Sequence, residues 1–324
     1  WYEKTEIDKV YDGYIERHWW FNDFPRPQFG VEMNLDKEKL KDVNVRLGLA
    51  HALNYDKVIK VQFWGDYNRL PGFVDGFGDF VNPDVKPRPF SPQKAREFFA
   101  KAGFTEEDGD GILKKPYGTR LEFDLSHYAI KTYSDIMSIL KTEARSSGVD
   151  LILDGKDPSI VFTEAMDKKF ELTSVAWSVQ PPYFAFYEYF HSRNAYDEQG
   201  NLKDKTNNVF AYNDPQMDKW VEEYRQTSEN QLKKELAHKI QAQVHEQCVF
   251  VPGWKRDFER VACWRWLRWP DTETVKFCPP VVSYPYEHYS FWIDEEMQED
   301  TRAAIRSGRT FPEVENVVEI YRKK

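Results

Sequence analysis

The chain predicts a mixed α/β fold. Two observations carry this. Between residues 44 and 177, segments with helical three- and four-residue apolar spacing alternate with short strand-like runs, and two long amphipathic helices follow at 214–227 and 230–247. At 324 residues the chain can bury a sizeable core, as one large or two moderate domains.

The elements follow in order. From Asn44 to Gly65, the apolar residues Val45, Leu49, Ala52 and Leu53, then Val58, Ile59 and Phe63, fall at helical steps. Asn54 breaks the run and caps a second helical piece, with Asp56 in its first turn. A Gly/Pro-rich loop covers Pro71 to Pro89. Ser91 then caps a short helix at 92–102, with Pro92 at its first position and Gly103 at its end. Asp108 to Leu113 and Gly118 mark a turn and hairpin before an alternating strand at 121–126. Tyr133, Ile136, Met137 and Leu140 form the apolar stripe of a helix near 131–147, which Gly148 stops. A strand at 149–153, a helix at 159–168 and a strand from Glu171 to Trp177 come next. The polar, turn-rich stretch from Asn194 to Asn208 reads as an exposed loop. Ser228 to Asn230 joins the two long helices, and Val249 to Trp254 is a late strand. From Val261 to Asp271, Trp alternates with Arg or Leu, which makes either a strand with one aromatic face or a ladder of stacked Arg and Trp.

Composition excludes several classes. A net charge of -9 argues against nucleic acid or an anionic membrane as the main partner. No apolar run reaches bilayer length. The 11 Trp and 18 Tyr serve the core, with several to spare for a binding cleft. Cys248, Cys263 and Cys278 are odd in number, so at most one bridge forms and no disulfide scaffold is implied.

Patterns that imitate chemistry have plainer readings. Ser91-x-x-Lys94 fits a nucleophile motif, but neither Ser-Asp-Asn nor Lys-Thr-Gly follows it, so Ser91 reads as an N-cap and Lys94 as a surface lysine. Glu106-x-Asp108-x-Asp110-Gly111 imitates the start of a calcium loop, yet Tyr117 stands where the bidentate Glu belongs. His238, His245 and Cys248 share one helix face and could carry a soft metal, but a fourth ligand is missing, which favours an ordinary helix face. No Walker loop, dinucleotide fingerprint or Gly-x-Ser-x-Gly elbow occurs. These residues imply no catalytic role, no cofactor and no metal.

Five segments, in order, carry a resemblance to a known family. Asn44-Val-Arg-Leu-Gly-Leu-Ala-His-Ala-Leu-Asn-Tyr-Asp-Lys-Val-Ile59 resembles a motif of the family-5 extracellular solute-binding proteins, the peptide and oligopeptide receptors of bacterial ABC importers. The helix from Ser91 to Phe104, the turn and strand from Asp108 to Leu125, Tyr212-Asn-Asp-Pro-Gln-Met-Asp-Lys-Trp220 and Val249-Phe-Val-Pro-Gly-Trp254 resemble its later segments. The Trp-rich stretch 264–271 and the tail to Lys324 look closer to the microcin-C-type branch.

The resemblance implies a periplasmic-binding-protein-like (type II) fold, of which this chain would be the carboxy-terminal part. Residues 23–255 would form the ligand-binding lobe. Residues 1–22 would be the edge of the other lobe at the hinge, residues 256–324 would return to that lobe, and its amino-terminal remainder and any export signal would precede Trp1. It implies a monomeric, periplasmic or lipid-anchored receptor that takes a peptide-like solute and docks on a membrane permease. A solute sensor on the same fold and a hydrolase of peptides or glycans are the alternatives. The implied ligand-binding residues are Trp177, Ser178, Gln180, Tyr183, Trp254 and Arg256. Trp254 would stack on an apolar or planar group, and Arg256 would fork a carboxylate or phosphate. In peptide receptors an Asp stands three residues after the strand-ending Trp and pairs with the ligand's amino terminus; here Gln180 stands there. A neutral amide cannot neutralise an ammonium group, so free-amine peptides are expected to bind poorly.

Overall fold

The computed structural model describes residues 1–25, 27–177, 179, 182–270 and 290–322. Its main elements, in chain order, are β1 (Ile15–Asn22), β2 (Gly30–Met33), α1 (Val43–Ala52), α2 (Tyr55–Gln62), α3 (Pro92–Lys101), β3 (Glu122–Tyr128), α4 (Lys131–Arg145), β4 (Asp150–Lys156), α5 (Pro158–Met166), β5 (Leu172–Ser174), α6 (Phe186–Phe190), α7 (Pro215–Gln226), α8 (Asn230–Gln247), β6 (Phe250–Pro252), β7 (Phe258–Trp264), α9 (Glu295–Ser307) and β8 (Glu315–Tyr321). The fold is mixed α/β, as the alternation of patterns predicts. The chain divides into two compact units: residues 25–255, and residues 1–24 together with 256–324.

Local chemistry sets the helix ends of the larger unit. Asn54 Oδ1 accepts the Lys57 N–H at 3.0 Å and starts α2, while its Nδ2 donates to Glu143 at 2.8 Å. Ser91 caps α3 through the Lys94 N–H, and Asp214 caps α7 through two backbone N–H groups. Gly148 adopts φ +81 just past α4, where the chain turns back into β4.

A five-stranded sheet of order β4-β3-β5-β2-β6 forms the centre of this unit. β3 runs parallel to β4 and β5, and β2 runs antiparallel to β5 and β6. The carboxyl ends of β3, β4, β5 and β6 therefore share one edge with the start of β2. Both faces of the sheet are covered. One apolar cluster joins Val31, Met33 and Val251 to α1, α2, α3 and α4, with Leu49, Phe99 and Leu140 fully buried. The other joins Phe250 to α5, α6, α7 and α8, with Val161, Phe190, Val221 and Ile240 fully buried. Gly48 of α1 lets the Phe99 ring of α3 approach directly; a Cβ built there would lie 2.3 Å from that ring.

One strand is shorter than expected. β5 stops at Ser174 rather than Trp177, and the Val175 N–H turns to the Glu32 carboxylate at 3.4 Å instead of a neighbouring strand.

In the smaller unit, β1 lies between β7, antiparallel, and β8, parallel. The Trp-rich stretch does not form the expected ladder of stacked Arg and Trp: Trp264 stacks on Trp266, and Arg265 lies over Phe311. Arg260 lies over the Trp1 and Trp19 rings at 5.2 and 5.0 Å. At the end of β7, Trp264 and Trp266 stack on each other at 4.5 Å, while Trp269 meets the edges of Trp20 and His18 at 5.4 and 4.8 Å. Trp20 is fully buried and Trp264, Trp266 and Trp269 are half-buried, so these tryptophans already find partners within their own unit.

Candidate functional site

In open α/β sheets, ligands gather beyond the carboxyl ends of the strands. In the larger unit that edge is lined with aromatic rings. Tyr128 ends β3, Trp177 follows β5, and Trp254 follows β6. α4 starts just after β3 and brings Tyr133 against Tyr128, ring centroids 5.1 Å apart, and within 6.5 Å of Trp254. Trp254 is 4% exposed, stacked on Phe29 at 5.1 Å and tilted against Phe63 and Tyr55. Trp177 is also 4% exposed, with Tyr189 and Phe162 each 5.8 Å away. The Tyr128 hydroxyl meets the Ala176 backbone, which links the two halves of this band.

Beneath the band lies Glu32, with no exposed surface. It sits on β2 between Val31 and Met33, and its carboxyl is directed to the carboxyl edge. The Trp177 Nε1–H donates to Oε1 at 3.2 Å and the Val175 N–H donates to Oε2 at 3.4 Å. Among the described residues, no lysine, arginine or histidine forms an ion pair with it. Burial pushes the Glu32 carboxyl well above the ordinary carboxylate range, and the hydrogen bonds from Val175 and Trp177 offset this only in part. Burial also raises the phenols of Tyr128 and Tyr55, and pushes Tyr133 and Tyr189 up to about 12. The edge thus sets aromatic rings beside a carboxyl whose charged form burial disfavours, and such rings are suited to stacking on planar or apolar groups and to attracting cations.

Of the expected residues, Trp177 and Trp254 lie at the same edge of the sheet but in different apolar clusters, with no direct ring contact between them. Ser178 and Gln180 lie outside the described residues. Tyr183 is 42% exposed, and its ring meets Phe80 and the Lys233 ammonium rather than the band. Arg256 belongs to the other unit, where its guanidinium pairs with the buried Glu259 at 2.9 Å. Sequence reasoning missed Glu32, Tyr128 and Tyr133 as site residues. The available signals were an acid inside a four-residue apolar run and a Tyr at the end of a strand; Tyr133 was assigned to the helix stripe.

The imitations of other chemistry are engaged otherwise. Ser91 caps α3, and Asp108 and Asp110 are held by Arg120, with Lys114 also on Asp108. His238 Nε2 lies 2.9 Å from the Asp79 carbonyl, and the Cys248 thiol donates to the Arg46 carbonyl at 3.4 Å. Burial and the neighbouring Arg88 push His245 down to about 4. Among the described residues, no group of three or more His, Cys, Asp or Glu side chains is arranged to hold a metal ion. Cys248 and Cys263 are free thiols; Cys278 lies outside the described residues.

Comparison with known proteins gives this edge a context. The family of bacterial extracellular solute-binding proteins, family 5 (middle), matches residues 10–197. The nickel-binding periplasmic protein of Escherichia coli is 25% identical over 226 residues, covering 68% of this chain and 41% of that protein. The periplasmic oligopeptide-binding protein OppA of Salmonella typhimurium is 25% identical over 229 residues, covering 68% of this chain and 38% of that protein. The chain thus spans about two fifths of the length of these relatives. The fold matches the solved oligopeptide-binding protein AppA from Bacillus subtilis, in complex with a nonapeptide, with a TM-score of 0.72 and 18% identity over 90% of this chain and 54% of that one. No helix among the described residues is long and apolar enough to cross a membrane.

Proposed function

The chain belongs to the bacterial extracellular solute-binding proteins of family 5, and from that membership we propose that it forms the solute-binding lobe of an ABC importer's receptor. In this reading the receptor works in the periplasm as a monomer. It captures a peptide-like or related small solute between two lobes and delivers it to the membrane permease. Residues 23–255 are the ligand-binding lobe, and residues 1–22 and 256–324 belong to the other. The relatives it matches are binding proteins, and the chemistry is binding rather than bond-breaking.

The observation that carries the reading is the aromatic band at the carboxyl edge of the sheet, with Trp177 and Trp254 buried and Tyr128 and Tyr133 half-buried. Ser178 and Gln180 adjoin Trp177 in the chain and belong to the proposed site. Tyr183 and Arg256 have partners of their own and are secondary to it. A solute that touches both lobes only when they close shifts the population toward the closed form, which is the form that docks on the permease.

The test is calorimetric titration of the mature protein with oligopeptides and with small chelated metals, alongside Tyr133→Ala. Tyr133 is half-buried at the start of α4, so its truncation spares the core. The bound solute is expected to lose at least about tenfold in affinity in the variant, the scale of one lost aromatic contact. Unchanged affinity would remove the band from the site.

A further inference from the structure

A carboxyl group without exposed surface and without a cation is expensive to keep, because burial opposes its charge and only strong pairing repays that cost. Glu32 is in this position. It is the acid of a four-residue strand whose other side chains are apolar, and it receives hydrogen bonds from an indole and a backbone amide but from no lysine, arginine or histidine among the described residues. A residue serving only the core would be replaced at no loss by an apolar one. The carboxyl also points along the sheet to its carboxyl edge, where both donors lie.

We propose that Glu32 is the anionic floor of a binding site for a ligand's ammonium or guanidinium group, walled by Trp177, Tyr128 and Tyr189. The proposal rests on the solute-binding reading above and names the chemical class of the solute: one with a cationic group. The arriving cation takes the place of the Trp177 indole N–H on the carboxylate, and the indole turns to offer its π face instead. Charge balances by exchange. Glu32 enters as a neutral acid, its proton leaves to solvent, and the carboxylate that remains pairs with the ligand cation.

The groups that face Glu32 leave it as the titrating residue. Tyr55 from α2, Tyr128 from β3 and Tyr189 from α6 all sense its charge, and burial keeps each phenol neutral through the physiological range. Arg69, beside the Tyr55 ring, is already engaged by the Pro252 carbonyl at 3.0 Å and by Asp56 at 3.5 Å. Cation binding should therefore tighten as pH rises, by about tenfold per unit until Glu32 is ionised without ligand.

The test is infrared difference spectroscopy on the mature protein and on Glu32→Gln, with methylammonium chloride as probe and sodium chloride at equal ionic strength as control. A protonated-carboxyl band that the variant lacks is expected to convert to carboxylate as methylammonium, but not sodium, is added. The concentration needed should fall as pH rises. A missing band, or one that methylammonium leaves unchanged, overturns the proposal, and the wild-type titration stands even if the variant folds poorly. Calorimetry with the pentapeptide Ala-Lys-Ala-Lys-Ala, free and fully acetylated, separates the two readings. The free form is expected to bind wild type roughly ten- to a hundredfold tighter than it binds Glu32→Gln, the scale of one charge-assisted hydrogen bond. If both proteins bind both forms alike, solute capture stands and the cation site falls. If methylammonium converts the band but neither form of the peptide binds, the cation site stands and peptide capture falls.

Discussion

At the scale of single residues, Glu32 contributes to how stability responds to pH. Its carboxyl is raised above the unfolded value, so the folded chain holds a proton that the unfolded chain has released. The sign follows from linkage: stability contributed by this group is fully present below the unfolded value, near pH 4.5, and is lost as pH rises toward the folded value. Glu32→Gln, which keeps the shape and an acceptor for Trp177, should flatten that slope and unfold at higher urea than wild type at pH 8. Urea midpoints at pH 5 and pH 8 measure this, and a variant that is weaker at pH 8 would mean that the acid is stabilised as an anion. Trp177 and Trp254 stand out in the sequence because they end recognisable motifs. Glu32 does not, because its role depends on Val175 and Trp177, more than a hundred residues along the chain, and one acid in a four-residue strand leaves no periodic trace.

At the scale of elements, helix ends were the most legible part. Asn54 and Ser91 each cap a helix by accepting from the N–H three residues along, so the local sequence holds the whole capping interaction. The strand predicted at 171–177 was not delimited correctly, because its end is determined by a carboxyl on β2 rather than by any residue of its own. Helix packing holds a second tertiary constraint. Gly48 sits mid-helix in α1, where alanine would ordinarily gain up to about 1 kcal/mol in helix propensity. Here the added methyl would meet the Phe99 ring at 2.3 Å. Overpacking of this kind costs about 1–3 kcal/mol, so Gly48→Ala should lower the thermal midpoint. Combining it with Phe99→Leu should recover part of the loss, since the two sites share one contact. A single variant more stable than wild type would show that α1 and α3 slide apart freely.

At the scale of the whole molecule, the larger unit is one continuous segment with its own sheet and a helical layer on each face. Residues 25–255 expressed alone should therefore unfold in one cooperative transition, followed by urea and near-ultraviolet dichroism. A non-cooperative transition would mean that the flanking segments complete its core. The central claim, that the aromatic carboxyl edge of this unit captures solute, is tested most directly by a crystal structure of the mature protein purified from its source with its solute retained. The account predicts solute density in van der Waals contact with Trp177, Tyr128, Tyr133 and Trp254, and a cationic group within hydrogen-bond reach of Glu32. Solute bound elsewhere, with none of these side chains touching it, would contradict the account.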